Sequence, residues 1–354
     1  MQLPTIHQEQ IDLLEKLSNA CAVSGNEREV RMIIKEEIKD LADSYEIDAL
    51  GNLIAVKKAK VENPVRVLIS AHMDEVGFML VNEEDPGIYC FRVVGGIDPR
   101  ALAGKAVWVG KEHKPGLIGA CPVHLSTPEE RQKILSVNDL RIDTGPGTKD
   151  VKVGDYACFA TRFMRMGADS ICGKALDNRL GCAVLIELLK NVPDHIELIA
   201  AFTVQEEVGL RGARVAAWDR NPDIAFAIDS TPANDLPMWD GSESTEYKTK
   251  LDQGPAIYTM DGRTLNDPRL IRYLLKTADK YQIKCQLRQP APGGTDAGAI
   301  HQTPAGCPAV SVSVPGRYAH TAASIARISD WQAHFQLMTA ALYDIDRSIL
   351  DEER

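Results

Sequence analysis

The sequence predicts an α/β fold, a mixed sheet with helices on both faces, interrupted by a small inserted β-barrel or β-sandwich domain. Three observations carry that expectation. Near-continuous apolar runs such as VRVLIS (65–70) and AVSVSV (309–314) mark strands covered on both faces. Segments with helical periodicity alternate with such runs at both ends of the chain. Between them, from about residue 75 to residue 166, Gly and Pro are frequent and only short β-like pieces recur.

The elements follow in order. IDLLEKLSNACA (11–22) and REVRMIIKEEIKDLA (28–42) space their apolar residues as helices and are separated by the turn VSGNE. NLIAVKK (52–58) and VRVLIS then read as strands. GFMLVN, YCFRVVGG, KAVWVGK, GLIGACPV and DYACFA are the short pieces of the insert, with one helical candidate at TPEERQKIL. DNRLGCAVLIELLKNV (177–192) returns to helix, IELIAAFTV (196–204) and IAFAID (224–229) are strands, and LNDPRLIRYLLKTADKY (265–281) is a helix opened by a cap and a proline. AVSVSV and SDWQAHFQLMTAALYDIDRSIL (329–350) are the last strand and helix. The division expected is residues 1–74 with 167–354 as one α/β unit and 75–166 as the insert.

Bulk properties narrow the function. The chain has 354 residues, 44% hydrophobic and 25% charged, as in ordinary globular proteins. A net charge of −10 disfavours a nucleic-acid surface or an anionic membrane as partner. The start MQLPTIHQEQIDLLEKL lacks the pattern of a secretion signal, and apolar runs stay short of the roughly 18 residues of a membrane span. The eight cysteines are scattered without a CxxC pair, which favours buried thiols. A cytoplasmic location is expected.

Acids and histidines fall where strands end. VRVLIS leads to His72, Asp74 and Glu75, IELIAAFTV to Glu206 and Glu207, IAFAI to Asp229, and AVSVSV to Arg317 and His320. Open α/β sheets bind ligands at that edge. Asp177 joins from the start of a helix, where the dipole favours a carboxylate. Singly, His72 reads as a hydrogen-bonded loop histidine, Asp177 as a helix cap, and the adjacent glutamates as solvated acids. Together they concentrate negative charge at one edge, which is costly unless cations bind. Imidazole with carboxylate suits Zn²⁺ or a similar first-row ion.

The segments AHMDEVGF, KALDNRLG, VQEEVGLRGA, AIDS, GGTDAGAI and RYAH occur in this order, and the chain resembles the tetrahedral aminopeptidase family over nearly its whole length, its glutamyl aminopeptidase branch most of all. The resemblance implies two divalent ions per subunit (Zn²⁺, Co²⁺ or Mn²⁺), one held by His72 and Asp229, the other by Glu207 and His320, with Asp177 bridging. It implies Glu206 as general base and Asp74 as the group orienting His72. It also implies release of the N-terminal residue from short peptides, acidic (Glu or Asp) residues first. The insert would be the dimerisation domain of a homo-oligomer, dimers assembling into a tetrahedral dodecamer. The last segment departs from the family, which tends to place Ser after the final histidine where this chain has RYAHTAAS. Gly294, Thr295 and Asp296 of the glycine loop, and Arg317, are the candidate substrate contacts, with Arg211 and Arg263 as weaker ones. The competing function is a related di-metal deacylase or amidohydrolase acting on N-acylated amino acids or peptides.

Overall fold

The computed structural model describes residues 1–218, 220–242 and 249–354. Two helices open the chain, α1 (Gln8–Asn19) and α2 (Arg28–Ile38), followed by strands β1 (Ser44–Ile47), β2 (Leu53–Lys57) and β3 (Val65–His72). The next strands are β4 (Gly77–Asp85), β5 (Ile88–Val94), β6 (Ala106–Val109) and β7 (Lys114–Ala120). A single helical turn, α3 (Pro128–Arg131), precedes β8 (Leu140–Asp143), β9 (Tyr156–Phe159), β10 (Met164–Met166) and β11 (Ser170–Gly173). The chain continues through α4 (Leu176–Lys190), β12 (Ile196–Thr203), α5 (Arg211–Trp218), β13 (Ile224–Pro232), β14 (Ala256–Tyr258), α6 (Pro268–Tyr281) and β15 (Gln286–Arg288). It closes with α7 (Ala297–Ile300), β16 (Ala309–Arg317), β17 (Ser324–Arg327) and α8 (Ile328–Asp344).

The large sheet runs β1-β2-β12-β3-β13-β16-β17-β11-β10, with β14 and β15 attached beside β16. Its centre is parallel, since β12 and β13 both pair parallel with β3 and β13 pairs parallel with β16. The carboxyl ends of those four strands therefore share one edge, and every strand-end acid and histidine is delivered there. Helices cover both faces, as the apolar runs require. Val67 and Ile69 pack into a core with Leu14, Ile34, Leu185, Leu274 and Trp331, while Leu68 between them packs on Ala213 of α5 and Ile300 of α7. One-residue alternation thus sends neighbours of a single strand to opposite layers.

The Gly- and Pro-rich stretch closes into a six-stranded barrel, β4-β5-β8-β7-β6-β9, which leaves no open sheet edge. Phe78 sits at its centre, edge-on to Phe91 and to Phe159 at 5.2 Å each. Barrel strands span residues 77–159; β10 falls inside the expected insert yet pairs with β11 in the large sheet. Among the described residues, no helix is long and apolar enough to cross a membrane.

Candidate metal centre

His72 is the last residue of β3, and its ring is buried. The carbonyl of Asp74 accepts from Nδ1 at 3.2 Å, and an Asp74 carboxylate oxygen lies 3.5 Å from the same nitrogen. Nε2 is left facing two acids, 3.2 Å from Asp177 Oδ1 and 3.4 Å from Asp229 Oδ1. His320 follows β16 and is held from the barrel side, where the Gly96 carbonyl accepts from Nδ1 at 2.9 Å. Its Nε2 faces Glu207 Oε2 at 3.2 Å and Asp177 Oδ2 at 3.6 Å. The two oxygens of Asp177 thus serve two different imidazoles.

Asp74 ties these pieces together. Its carboxylate accepts from the Ser24 hydroxyl at 2.6 Å and from the backbone N–H groups of Glu206 and Glu207 at 3.1 and 3.2 Å. One buried side chain therefore fixes both the His72 ring and the turn that presents the glutamate pair. That turn is strained, because Gln205 occupies the left-handed region at φ 55°. Tyr318 and His320 do so as well at φ 63° and 57°, and such outliers persist where surrounding structure holds them for a purpose.

Asp177 stands at the start of α4, as expected, but not in helical form. It lies in the span of α4 but with non-helical angles (φ −82°, ψ 104°), and the Asp177–Asn178 peptide bond is cis. Asn178 anchors the bend, donating to the Ile228 carbonyl at 2.9 Å and accepting from the Gly181 N–H at 3.0 Å. A Cβ at Gly181 would stand 2.3 Å from the Asn178 side-chain oxygen, so glycine is required there. Asp229 also differs from expectation, since it sits inside β13 rather than beyond its end.

The electrostatics point one way. Burial pushes Glu206 well above the usual carboxylate range, and it raises Glu207 too. Asp229 is pushed up to about 7, by burial first and then against Asp177. Burial opposes charge on the imidazoles, yet Asp177 and Glu207 raise His320 to about 11, and Asp177, Asp229 and Asp74 hold His72 well above normal. Burial also opposes charge on Asp177, but His320 and His72 hold it well below its ordinary value. Acids drawn toward neutrality beside histidines drawn toward cations describe a cage short of positive charge. Two imidazoles with Nδ1 tied to carbonyls and Nε2 aimed at carboxylates form a fitting donor set for divalent metal ions. Among the described residues, His72, Asp177 and Glu207 offer ligand atoms all within 4.8 Å of one another.

A cavity of about 260 Å³ opens on the cage, lined by His72, Asp177, Glu206, Asp229, Gly294 and Thr295, among others. Two sequence-proposed contacts lie elsewhere. Arg317 is paired with Asp235 at 2.7 Å, outside the cavity lining, because the acid beside it captures its guanidinium. Asp296 is buried behind the wall, accepting from the Thr203 hydroxyl at 2.6 Å, and burial raises it to about 6. Of the weaker candidates, Arg211 reaches Gln205 at 3.4 Å, and the Arg263 side chain packs against Gly294. Thr321, in the place where the resembled family tends to have Ser, bonds back to the Tyr318 and Ala323 carbonyls at 2.8 and 3.0 Å.

Other residues of the cavity carry no signal in the sequence pattern, Arg288, Tyr258 and Thr231 among them. Arg288 of β15 and Tyr258 of β14 line the cavity, and Thr231 of β13 supports Arg288. Both strands that carry the first two are only three residues long. The closeness of Arg288 to the GGTDAGAI loop was a cue outside that pattern.

Comparison with known proteins shows what the whole chain is similar to. Residues 51–337 match the M42 glutamyl aminopeptidase family. The glutamyl aminopeptidase of Lactococcus lactis subsp. cremoris is 33% identical over 342 residues, 91% of this chain and 93% of that protein. An aminopeptidase structure from the archaeon Desulfurococcus kamchatkensis is 32% identical with a TM-score of 0.90, covering 97% of each chain. The TET1 peptidase of Pyrococcus horikoshii, described as able to assemble into a tetrahedron or a large octahedral shell, is 35% identical with a TM-score of 0.83, covering 95% of this chain and 100% of that one.

Proposed function

The chain belongs to the M42 glutamyl aminopeptidase family and is a hydrolase of the metallo-aminopeptidase class; from that premise we propose that it removes N-terminal residues from short peptides using two divalent ions, Zn²⁺, Co²⁺ or Mn²⁺. His72 and Asp229 would hold one, Glu207 and His320 the other, and Asp177 both. One observation carries this reading. Asp177 directs Oδ1 to His72 at 3.2 Å and Oδ2 to His320 at 3.6 Å, which divides the donors into two sets sharing one carboxylate. When bound, the ions supply Lewis-acid polarisation of the scissile carbonyl and a lowered pKa for water.

The chain's own residues do the rest. Glu206 lines the cavity and is left outside both donor sets. It takes the proton of the attacking water and returns it to the departing amine. Asp74 keeps His72 Nδ1 protonated and Nε2 free. The excess of carboxylates favours a free ammonium at the substrate's N-terminus, and Gly294 with Thr295 forms part of the wall. A preference for acidic N-terminal residues completes the proposal. Homo-oligomerisation through the barrel is part of it as well, supported by exposed apolar residues there (Val123, Leu125 and Ile134 are 63%, 71% and 75% exposed).

The test compares a free and an N-acetylated peptide with wild type and Glu206→Gln. The expected result is cleavage of the free peptide only, with Glu206→Gln about 10²–10⁴-fold slower at unchanged metal content. Cleavage of the blocked peptide alone would favour the deacylase reading. Full turnover by Glu206→Gln would remove Glu206 from the mechanism.

A further inference from the structure

Two thiols meet across the junction of the barrel and the α/β unit. Cys21 lies in the connection between α1 and α2, and Cys158 lies on barrel strand β9, 137 residues further along. The Cys158 thiol donates to Cys21 Sγ at 2.9 Å. Their exposures differ, since Cys158 is 1% exposed whereas Cys21 is only partly covered. Cys21 also has polar neighbours of another kind. Its sulfur, a ring nitrogen of His113 and a carboxylate oxygen of Glu29 all lie within 4.8 Å of one another, and His113 Nε2 is 2.9 Å from Glu29 Oε2. Glu29 comes from the first turn of α2, and His113 from the β6–β7 turn, where it holds the left-handed region at φ 47°. A partly exposed thiol with a buried thiol partner, an imidazole and a carboxylate close by has the parts of a reactive pair rather than of a packed core cysteine.

Metal coordination and oxidation compete for such a cluster, and the distances choose between them. Two thiolates on one tetrahedral ion, with Zn–S of about 2.3 Å, stand about 3.8 Å apart. The set within 4.8 Å comprises Cys21, Glu29 and His113 but not Cys158. The 2.9 Å between the sulfurs needs only about 0.9 Å of further approach to reach a disulfide of about 2.05 Å. We propose that Cys21 and Cys158 are a redox-active dithiol, a site of reversible oxidation by hydrogen peroxide to a disulfide that ties the barrel to the α1–α2 connection. In the first step Cys21 Sγ attacks one peroxide oxygen. The S–O bond forms as the O–O bond breaks, and the thiol proton, passed through His113, leaves with the other oxygen as water. The Cys21 sulfur has then lost two electrons and is a sulfenic acid. In the second step Cys158 Sγ displaces that hydroxyl, which leaves with the Cys158 proton as a second water while the S–S bond forms. Two thiols and one peroxide thus become one disulfide and two waters. The pair sets its own order, because the bond to Cys21 and burial hold the Cys158 thiol well above its ordinary pKa and keep it protonated until Cys21 has reacted. The tie falls beside the cage, since the Ala22 N–H donates to Glu75 and the Ser24 hydroxyl to Asp74, the acid next to His72.

The experiment treats the Zn²⁺-loaded full chain with hydrogen peroxide and maps the unreduced digest by mass spectrometry, with Cys21→Ser, Cys158→Ser and His113→Gln beside wild type. In wild type a peptide pair joined through Cys21 and Cys158 should appear, lighter by two hydrogens than the two thiols, and dithiothreitol should release it. A 1,3-diketone probe should trap a sulfenic acid at Cys21 in Cys158→Ser, where the second step is blocked, and none at Cys158 in Cys21→Ser. His113→Gln should form the same disulfide at least about 10-fold more slowly. The melting temperature of wild type should rise by a few degrees on oxidation and fall back on reduction, with no such shift in either serine variant. If a serine variant fails to fold, the wild-type map decides the pairing alone. A map without the Cys21–Cys158 pair after peroxide overturns the proposal. So does a Cys21 shielded from peroxide and from alkylation by a bound Zn²⁺ ion, which would make Cys21, Glu29 and His113 a metal site instead.

Discussion

Two buried charged clusters sit side by side in this protein, and they are built on opposite rules. In the first, Glu75, Lys174 and Arg179 are all 2% exposed or less. Glu75 receives Lys174 at 2.7 and 2.9 Å, Arg179 at 3.3 Å and the Ala22 N–H at 2.9 Å. Lys174 also donates to the Ala20 carbonyl at 2.6 Å, and Arg179 to the carbonyls of Leu17 and Met73. That cluster satisfies itself. In the second, Asp177, Glu206, Glu207 and Asp229 face two imidazoles, and the pKa directions of acids and histidines are pulled apart. A cluster whose donors and acceptors are paired within the protein braces the chain around residues 73–75, whereas the second crowds acids around two imidazoles as a metal-binding donor set does. Burial and charge are common to both, so neither alone marks function; the mismatch does.

Changes in each cluster should separate the two roles. Glu206→Gln gives the largest effect, a loss of turnover reaching about 10⁴-fold with melting temperature and metal content close to wild type. Lys174→Met should do the reverse. It leaves the Glu75 carboxylate without its ammonium and should cost about 3–5 kcal/mol in urea unfolding. Retained stability in Lys174→Met would mean that the brace is dispensable.

A third prediction extends the contrast to histidines. His72 is buried among acids and held above its ordinary pKa, but burial pushes His334, whose Nε2 lies 3.2 Å from the Val312 carbonyl, down to about 4. Its folded value lies below the unfolded 6.5, so the stability it contributes is complete above about pH 6.5 and is lost as pH falls toward 4. The loss should reach about 3 kcal/mol. The difference in unfolding free energy between wild type and His334→Gln should therefore shrink across that window, and a constant difference would contradict it. The smallest effect concerns ligand linkage. Removing metal with a chelator should abolish activity while lowering stability by only about 1–3 kcal/mol, as for any ligand bound well above its Kd, and restoring Zn²⁺ should recover both.

The sequence made the cage readable because its parts sit at the ends of apolar runs. His72 ends, and Glu206, Glu207 and His320 follow, strands whose burial on both faces is visible in composition, and the parallel centre of the sheet brings those ends to one edge. The proposed division of these residues into two metal sets comes from the family resemblance. Asp177 was found for an incomplete reason: its apolar neighbours look helical, but its own angles are not, and that bend depends on Asn178 reaching Ile228 across the fold. Arg288 was not found, since a three-residue strand carries no periodicity and its pairing with β14 is a tertiary fact. Arg317 lies near the site in sequence, but its pairing with Asp235 depends on a contact 82 residues away.

The proposed sharing of Asp177 by two ions is tested most directly by counting them. Metal-free protein titrated with Zn²⁺, with bound metal measured by mass spectrometry after desalting, should take up two ions per chain. Asp177→Asn should fail to retain a full pair because the shared ligand serves both sets. A wild-type stoichiometry of one or none, or two tightly held ions in Asp177→Asn, would contradict the account.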